Sequence, residues 1–233
     1  MIPALRFTVA LLGMAVGSAA GAAQPPRTLS ASYNLYLNGA HVAVVNETYE
    51  ARNSSYRIVS ESVPLGALAL LQKPAKVVSN GRLTAEGLRP ERFEGRSIGR
   101  GQVMAEFDWP GERLSFGRDG KIETVALPPG TQDRLSIMYQ FMFQPPNGRE
   151  KFDLAMTDGR RLQHYHYAVT RGVEIETPLG RMDTLHLVRQ AGPDASGNEI
   201  WLAPDRHFLP VKMVIREDNG TRYEQVVTRI EAR

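Results

Sequence analysis

The chain has 233 residues, 42% hydrophobic, 8% aromatic and 23% charged, a balance that permits a sizeable core and excludes a disordered or collagen-like polypeptide. It contains no cysteine, which removes disulfides, thiolate metal sites, a cysteine nucleophile and a lipid-modified N-terminal cysteine together. The net charge of +3 comes from scattered arginines and not from a basic run, so the pI near 9.3 gives no reason to expect nucleic acid as a partner.

Arg6, an apolar run from Phe7 to Val16 and small residues from Gly17 to Ala23 follow the three-part plan of a secretory signal peptide. The run is well short of the ~20 residues that span a bilayer. The A-x-A rule fits cleavage after Ala22 or Ala23, with Gln24 as the preferred mature start. The expected organisation is a signal peptide over 1–23, a flexible leader over 24–30 and one β-rich domain over 31–233. The mature protein is expected to be periplasmic, with no transmembrane segment.

Beyond the leader the hydrophobic period is mostly two. Tyr33, Leu35 and Leu37 alternate with polar neighbours, and Asn38-Gly39 then supplies the positive φ angles of a hairpin turn. Val42 to Tyr49 and Tyr56 to Ser62 continue with β-branched and aromatic residues. Leu65 to Gln72 is apolar and bracketed by Pro64 and Pro74, so it reads as a two-turn helix or a hydrophobic loop. Exposed, it would be a lid or docking surface; buried, the preferred reading, it fills the mouth of the sheet. Val103, Ala105, Phe107 and Trp109 alternate as a half-buried antiparallel strand closed by Pro110-Gly111.

Thr131 is placed to cap a helix with Asp133 in its first turn, and Leu135, Met138, Tyr139 and Met142 have helical spacing before Pro145-Pro146 ends it. Further alternating strands follow around 152–156, 165–169, 185–187, 211–215 and 226–230, and Trp201 falls in another. Turn signals separate them at Asp158-Gly159, Arg171-Gly172, Pro178 to Gly180, Ser196 to Asn198 and Asn219-Gly220. So many short strands with so few helices predict a mainly β antiparallel meander in one continuous sheet.

Three constellations carry candidate chemistry. Gly95-Arg96-Ser97-Ile98-Gly99 matches the G-x-S-x-G of a nucleophile elbow, but that motif needs a helix after the serine and here a strand pattern follows. His164 and His166 share a strand face and could hold a metal only with a third ligand, so no metal or cofactor is expected. Arg92, Arg96 and Arg100 would share a face suited to carboxylate or phosphate, or be plain solvated surface.

The wording of several segments is familiar as a set. Thr131-Gln132-Asp133-Arg134-Leu135-Ser136 with Tyr139, Thr177-Pro178-Leu179-Gly180 leading into Leu185-His186-Leu187, Ile200-Trp201-Leu202, Leu209-Pro210-Val211, Gly87-Leu88-Arg89-Pro90 and Phe107-Asp108-Trp109 resemble the domain of unknown function 3108 family of bacterial cell-envelope proteins. That resemblance implies one large, strongly curved antiparallel sheet, a half-barrel or spiral similar to lipoprotein carriers. The amphipathic helix and the short helix would then pack on its concave side. It carries over no catalytic residues.

The leading expectation is a non-enzymatic soluble periplasmic binding or carrier protein for a lipid or other hydrophobic envelope component. Trp109, Trp201, Tyr139 and Met142 would form apolar walls, and Asp133, Arg134 or Arg96 would meet a polar head. The alternatives are a structural protein that pairs an exposed edge or apolar face with an envelope protein partner, and, more distantly, a serine hydrolase using Ser97.

Overall fold

A computed structural model describes residues 24–97, 101–190 and 197–233, so the expected signal peptide lies outside the described residues. The first half is an unbroken meander: β1 (Thr28–Leu37), β2 (Ala40–Arg52), β3 (Ser55–Pro64), α1 (Gly66–Leu71), β4 (Ala75–Thr84), β5 (Gly87–Ser97), β6 (Gly101–Asp108), β7 (Arg113–Arg118) and β8 (Lys121–Ala126). Turn chemistry sets its hairpins. Asn38 and Gly39 hold φ of 49° and 85°, and Asn53-Ser54 and Asp119-Gly120 likewise pair two positive φ angles, the twist that matches flanking strands.

Side-chain alternation then decides which face is buried. In β1 the buried residues are Leu29, Ala31 and Tyr33, and in β2 they are Ala43, Val45, Glu47 and Tyr49. Because β1 begins at Thr28, paired with Glu50, the expected flexible leader is shorter than 24–30. Leu29 is already core.

The second half contains β9 (Gln132–Asp133), α2 (Ser136–Gln140), β10 (Lys151–Thr157), β11 (Leu162–Thr177), β12 (Gly180–Arg189), β13 (Gly197–Ala203), β14 (Leu209–Arg216) and β15 (Arg222–Ala232). The helix expected from Thr131 is reduced to five residues. Gln132 and Asp133 are instead extended, in parallel register with Met156 and Thr157 of β10, and the Thr131 hydroxyl donates to the Pro128 carbonyl rather than capping. The sheet is therefore mixed, not purely antiparallel. Arg171-Gly172 is no turn either: β11 runs through it as a bulge, its register against β12 shifting between Thr170 and Val173.

All fifteen strands form one open sheet in the order β8-β7-β6-β5-β4-β3-β2-β1-β15-β14-β13-β12-β11-β10-β9. The two meanders are joined by β1 against β15, and the strands at opposite edges, β8 and β9, are consecutive in the chain, linked by residues 127–131. Core side chains fall into two groups that meet at α2. Leu135, Tyr139 and Met142 pack with the strands of the first half, while Ile137 and Phe141 pack with Tyr165, Leu185, Leu187 and Ile200. Helix α2 touches both β5 and β14, six places apart in the sheet.

Helix α1 corrects an expectation. None of its residues is buried, and Leu70 and Leu71 stand 88% and 82% exposed, so it does not pack on the sheet's inner side.

Candidate functional site

The segment 131–140 reaches into the first half through polar side chains, all buried. Asp133 Oδ1 accepts the backbone N–H of Leu135 and Ser136 at 2.9 and 2.8 Å, and the Ser136 hydroxyl accepts the N–H of Asp133, a reciprocal cap on the turn leading into α2. Asp133 Oδ2 accepts the Ser79 hydroxyl of β4 at 2.6 Å, and Ser79 is in contact with the Tyr56 hydroxyl at 3.1 Å. One carboxylate thus ends a strand, caps a helix and clasps β4.

Tyr139 stacks on Tyr49 at 5.4 Å and donates its hydroxyl to Glu47 at 3.1 Å. Gln140 accepts the N–H of Leu88 at 2.6 Å and donates to the Glu86 carbonyl at 2.7 Å, and Gln132 donates to the Leu88 carbonyl. Burial pushes the carboxyls of Glu47 and Asp133 above their ordinary range; hydrogen bonds from Ser60 and Tyr139, and the Arg134 charge, partly offset this at Glu47. At Asp133 the Ser79, Ser136 and Leu135 donors do the same. Every hydrogen bond of this cluster runs to another part of the chain, and the buried Gln132 Oε1 is left without a partner.

The open space lies elsewhere. A cleft of about 800 Å³ runs between the β4–β5 turn, the start of β5 and the β6–β7 turn on one side and β10 and β11 on the other, with Ile137 and Gln140 of α2 and residues 127–130 also lining it. Its apolar wall includes Leu88, Trp109, Leu127, Phe152 and Leu154, and its polar groups include Arg89, Gln144, Arg149, His164 and His166. Trp109 is held in place: its indole N–H donates to the Pro90 carbonyl at 2.6 Å, its ring stacks on Phe107, and the Arg89 guanidinium sits 4.8 Å above it. His166 Nδ1 lies 2.7 Å from Asp153 Oδ1.

Of the seven residues singled out in the sequence as ligand contacts, Trp109 alone lines this cleft. Asp133, Tyr139 and Met142 are buried core, and Arg134 lies over the Phe93 ring. Trp201 is a buried member of the core group that holds Tyr139 and Met142, while its neighbours Ile200 and Leu202 belong to the group of Ile137 and Phe141. The Trp201 ring stacks on His186 at 4.2 Å, with Lys212 Nζ 5.3 Å from it. Arg96 is an exposed residue of β5 opposite Lys76 and Gln102.

Arg100 lies outside the described residues; Arg92 pairs with Glu94 and Glu106. Of the G-x-S-x-G stretch, Ile98 and Gly99 lie outside the described residues; Gly95 to Ser97 end β5, with Ser97 opposite Gly101, and the next described element is strand β6 and not a helix. Sequence reasoning missed Glu47, although a charged residue in the Ala43, Val45, Tyr49 phase of β2 was a signal of buried chemistry. It also missed Gln140, whose role depends on β5.

A family model described as a protein of unknown function (DUF3108) matches residues 32–227. No curated protein matches the chain. Among solved structures, a candidate lipoprotein from Parabacteroides distasonis is similar at 10% identity and a TM-score of 0.37, over 89% of this chain and 97% of its own. A candidate exported protein with a YmcC-like fold from Bacteroides fragilis gives the same identity, TM-score and coverage of both chains.

Proposed function

Since the chain belongs to the DUF3108 family, a family whose description assigns no activity, we propose that it is an exported, non-enzymatic binding protein of the cell envelope. It would take an amphipathic, lipid-like ligand in the cleft between the two ends of its sheet. Export rests on the signal-peptide plan of residues 1–23. Among the described residues no helix is long and apolar enough to cross a membrane.

The cleft's existence follows from a rolled sheet. Laid flat at ~4.8 Å per strand, the edges β8 and β9 of a fifteen-strand sheet would be roughly 65 Å apart. Residues 127–131 link those edges and span at most about 20 Å. The sheet therefore curls until its edges nearly meet, with the 131–143 segment inside the roll. That filled interior moves the ligand away from the buried Tyr139 and Met142 and toward the seam.

The observation that carries the reading is the lining of this seam: Leu88, Trp109, Leu127, Phe152 and Leu154 together with Arg89, Arg149 and two histidines, beside the acids Glu86, Glu112 and Asp153. Such a lining suits an acyl chain with a polar head. Native mass spectrometry of the purified protein, with titration of a fluorescent fatty acid, tests it. Bound lipid, or probe binding weakened roughly tenfold by Leu154→Arg, is expected. A lipid-free protein that ignores the probe overturns the reading.

A second reading, an envelope interaction protein, is favoured by the edge position of β8, which is exposed along most of its length. Its Lys121 and Glu123 oppose open-edge pairing. Crosslinking in cells that recovers one protein at β8 and no small ligand would select it.

A further inference from the structure

We propose that α1 is a membrane-docking tip that seats this protein on the surface of an anionic phospholipid bilayer. The sequence Leu65-Gly66-Ala67-Leu68-Ala69-Leu70-Leu71 has no polar side chain. In a surface helix of a water-soluble body the usual arrangement is one apolar stripe facing the core, with polar residues outward. Here Leu65 and Leu68 are half-buried and no residue of the helix is fully buried, while Leu70 and Leu71 stand 88% and 82% exposed, so the apolar side chains at the helix end project into solvent.

Charge complementarity identifies the occupant. Helix α1 connects β3 to β4 at the end of the sheet where the outermost register positions are Lys76 opposite Arg96 and Arg118 opposite Lys121, with Lys73 in the connection itself. Against these five cations the same positions carry Glu61, 2.7 Å from Lys76, and Asp119, 3.6 Å from Arg118. An apolar projection beside a net-basic end of the sheet matches the layering of an anionic bilayer, hydrocarbon beneath a negatively charged headgroup plane. A protein partner fits less well. A stable interface uses about 20 to 30 residues a side, whereas this tip offers a six-residue helix standing proud of the sheet.

The proposal does not draw on the seam cleft, so its fate is independent of the ligand reading. The absence of cysteine makes the test clean: Leu70→Cys creates one attachment point for an environment-sensitive NBD label. The protein should sediment with phosphatidylcholine vesicles containing phosphatidylglycerol, more weakly without it and more weakly in high salt. The NBD emission should shift to the blue and brighten in the same mixtures.

Leu70→Ser with Leu71→Ser should weaken sedimentation by roughly tenfold or more and leave the melting temperature unchanged, since neither side chain is packed. Lys73→Glu should weaken it and reduce its salt dependence. An unlabelled protein that fails to sediment with either vesicle, or a double-serine variant that binds as well as the parent, overturns the proposal. So does self-association abolished by the double substitution in a protein that ignores vesicles, which would assign the tip to a second copy of the chain.

Discussion

Glu47 and Asp133 are carboxyls held out of water by opposite parts of the chain, and their protonation is linked to folding. Burial raises both above the value they have in an unfolded chain, so the folded state holds their protons more tightly. Stability from such groups is complete below the unfolded value near ~4 and is lost as pH rises through the raised folded value. Exposed acids whose partners lower their pKa, such as Glu231 beside Arg229, act in the opposite sense, so the comparison has to be made between variants. Glu47→Gln keeps an acceptor for Tyr139 but removes the titration; its melting temperature should fall less than the parent's between about pH 5 and about pH 7. Parallel slopes by calorimetry would refute the link. At this scale the sequence was partly legible: Thr131 was expected to cap with Asp133 in the first turn, whereas Asp133 itself caps, from an extended residue, because its pairing with β10 cannot be seen within a local window.

The elements that obeyed period two were read correctly, and the failures each have a cause. Strand β4 was missed because Val77, Val78 and Ser79 are buried in succession, which hides the alternation. Strands β7 and β8 are six residues each with two charged residues apiece, too short for a periodic signal. Helix α1 was identified as apolar and short, but its burial depends on what surrounds it. The α2 connection to β5 depends on a tight approach at Gly87, where φ is +100° and an added Cβ would lie 2.5 Å from Gln140 Oε1 and 2.7 Å from the Phe143 Cβ. Gly87→Ala should cost about 2 kcal/mol or more in urea unfolding. Gly39→Ala, with positive φ but open space, should cost about 1 kcal/mol. Equal losses would mean that α2 gives way easily and that the latch at β5 is loose.

For the whole molecule, composition and strand count already implied one large β body, but the seam cleft was beyond local reading, since its walls come from segments some 60 residues apart in the chain. The strand order has a further consequence. Thr28 and Arg233 exchange backbone hydrogen bonds at 3.1 and 2.9 Å, so the outer ends of β1 and β15 lie side by side. A circular permutant relinked there by a short glycine-rich segment and opened at residues 128–130 would run β9 to β15 and then β1 to β8, each strand antiparallel or parallel to the one before it in sequence. The native chain must close a loop of nearly its full length before β1 meets β15, an ordering that raises contact order and slows folding. The permutant should refold faster in stopped-flow fluorescence while keeping the same sheet; a rate equal to or below the parent's would place the limiting step elsewhere. The fold's order and the chain's order differ by a single cut, and evolution's choice of where to make it fixes how late the two halves are sewn together.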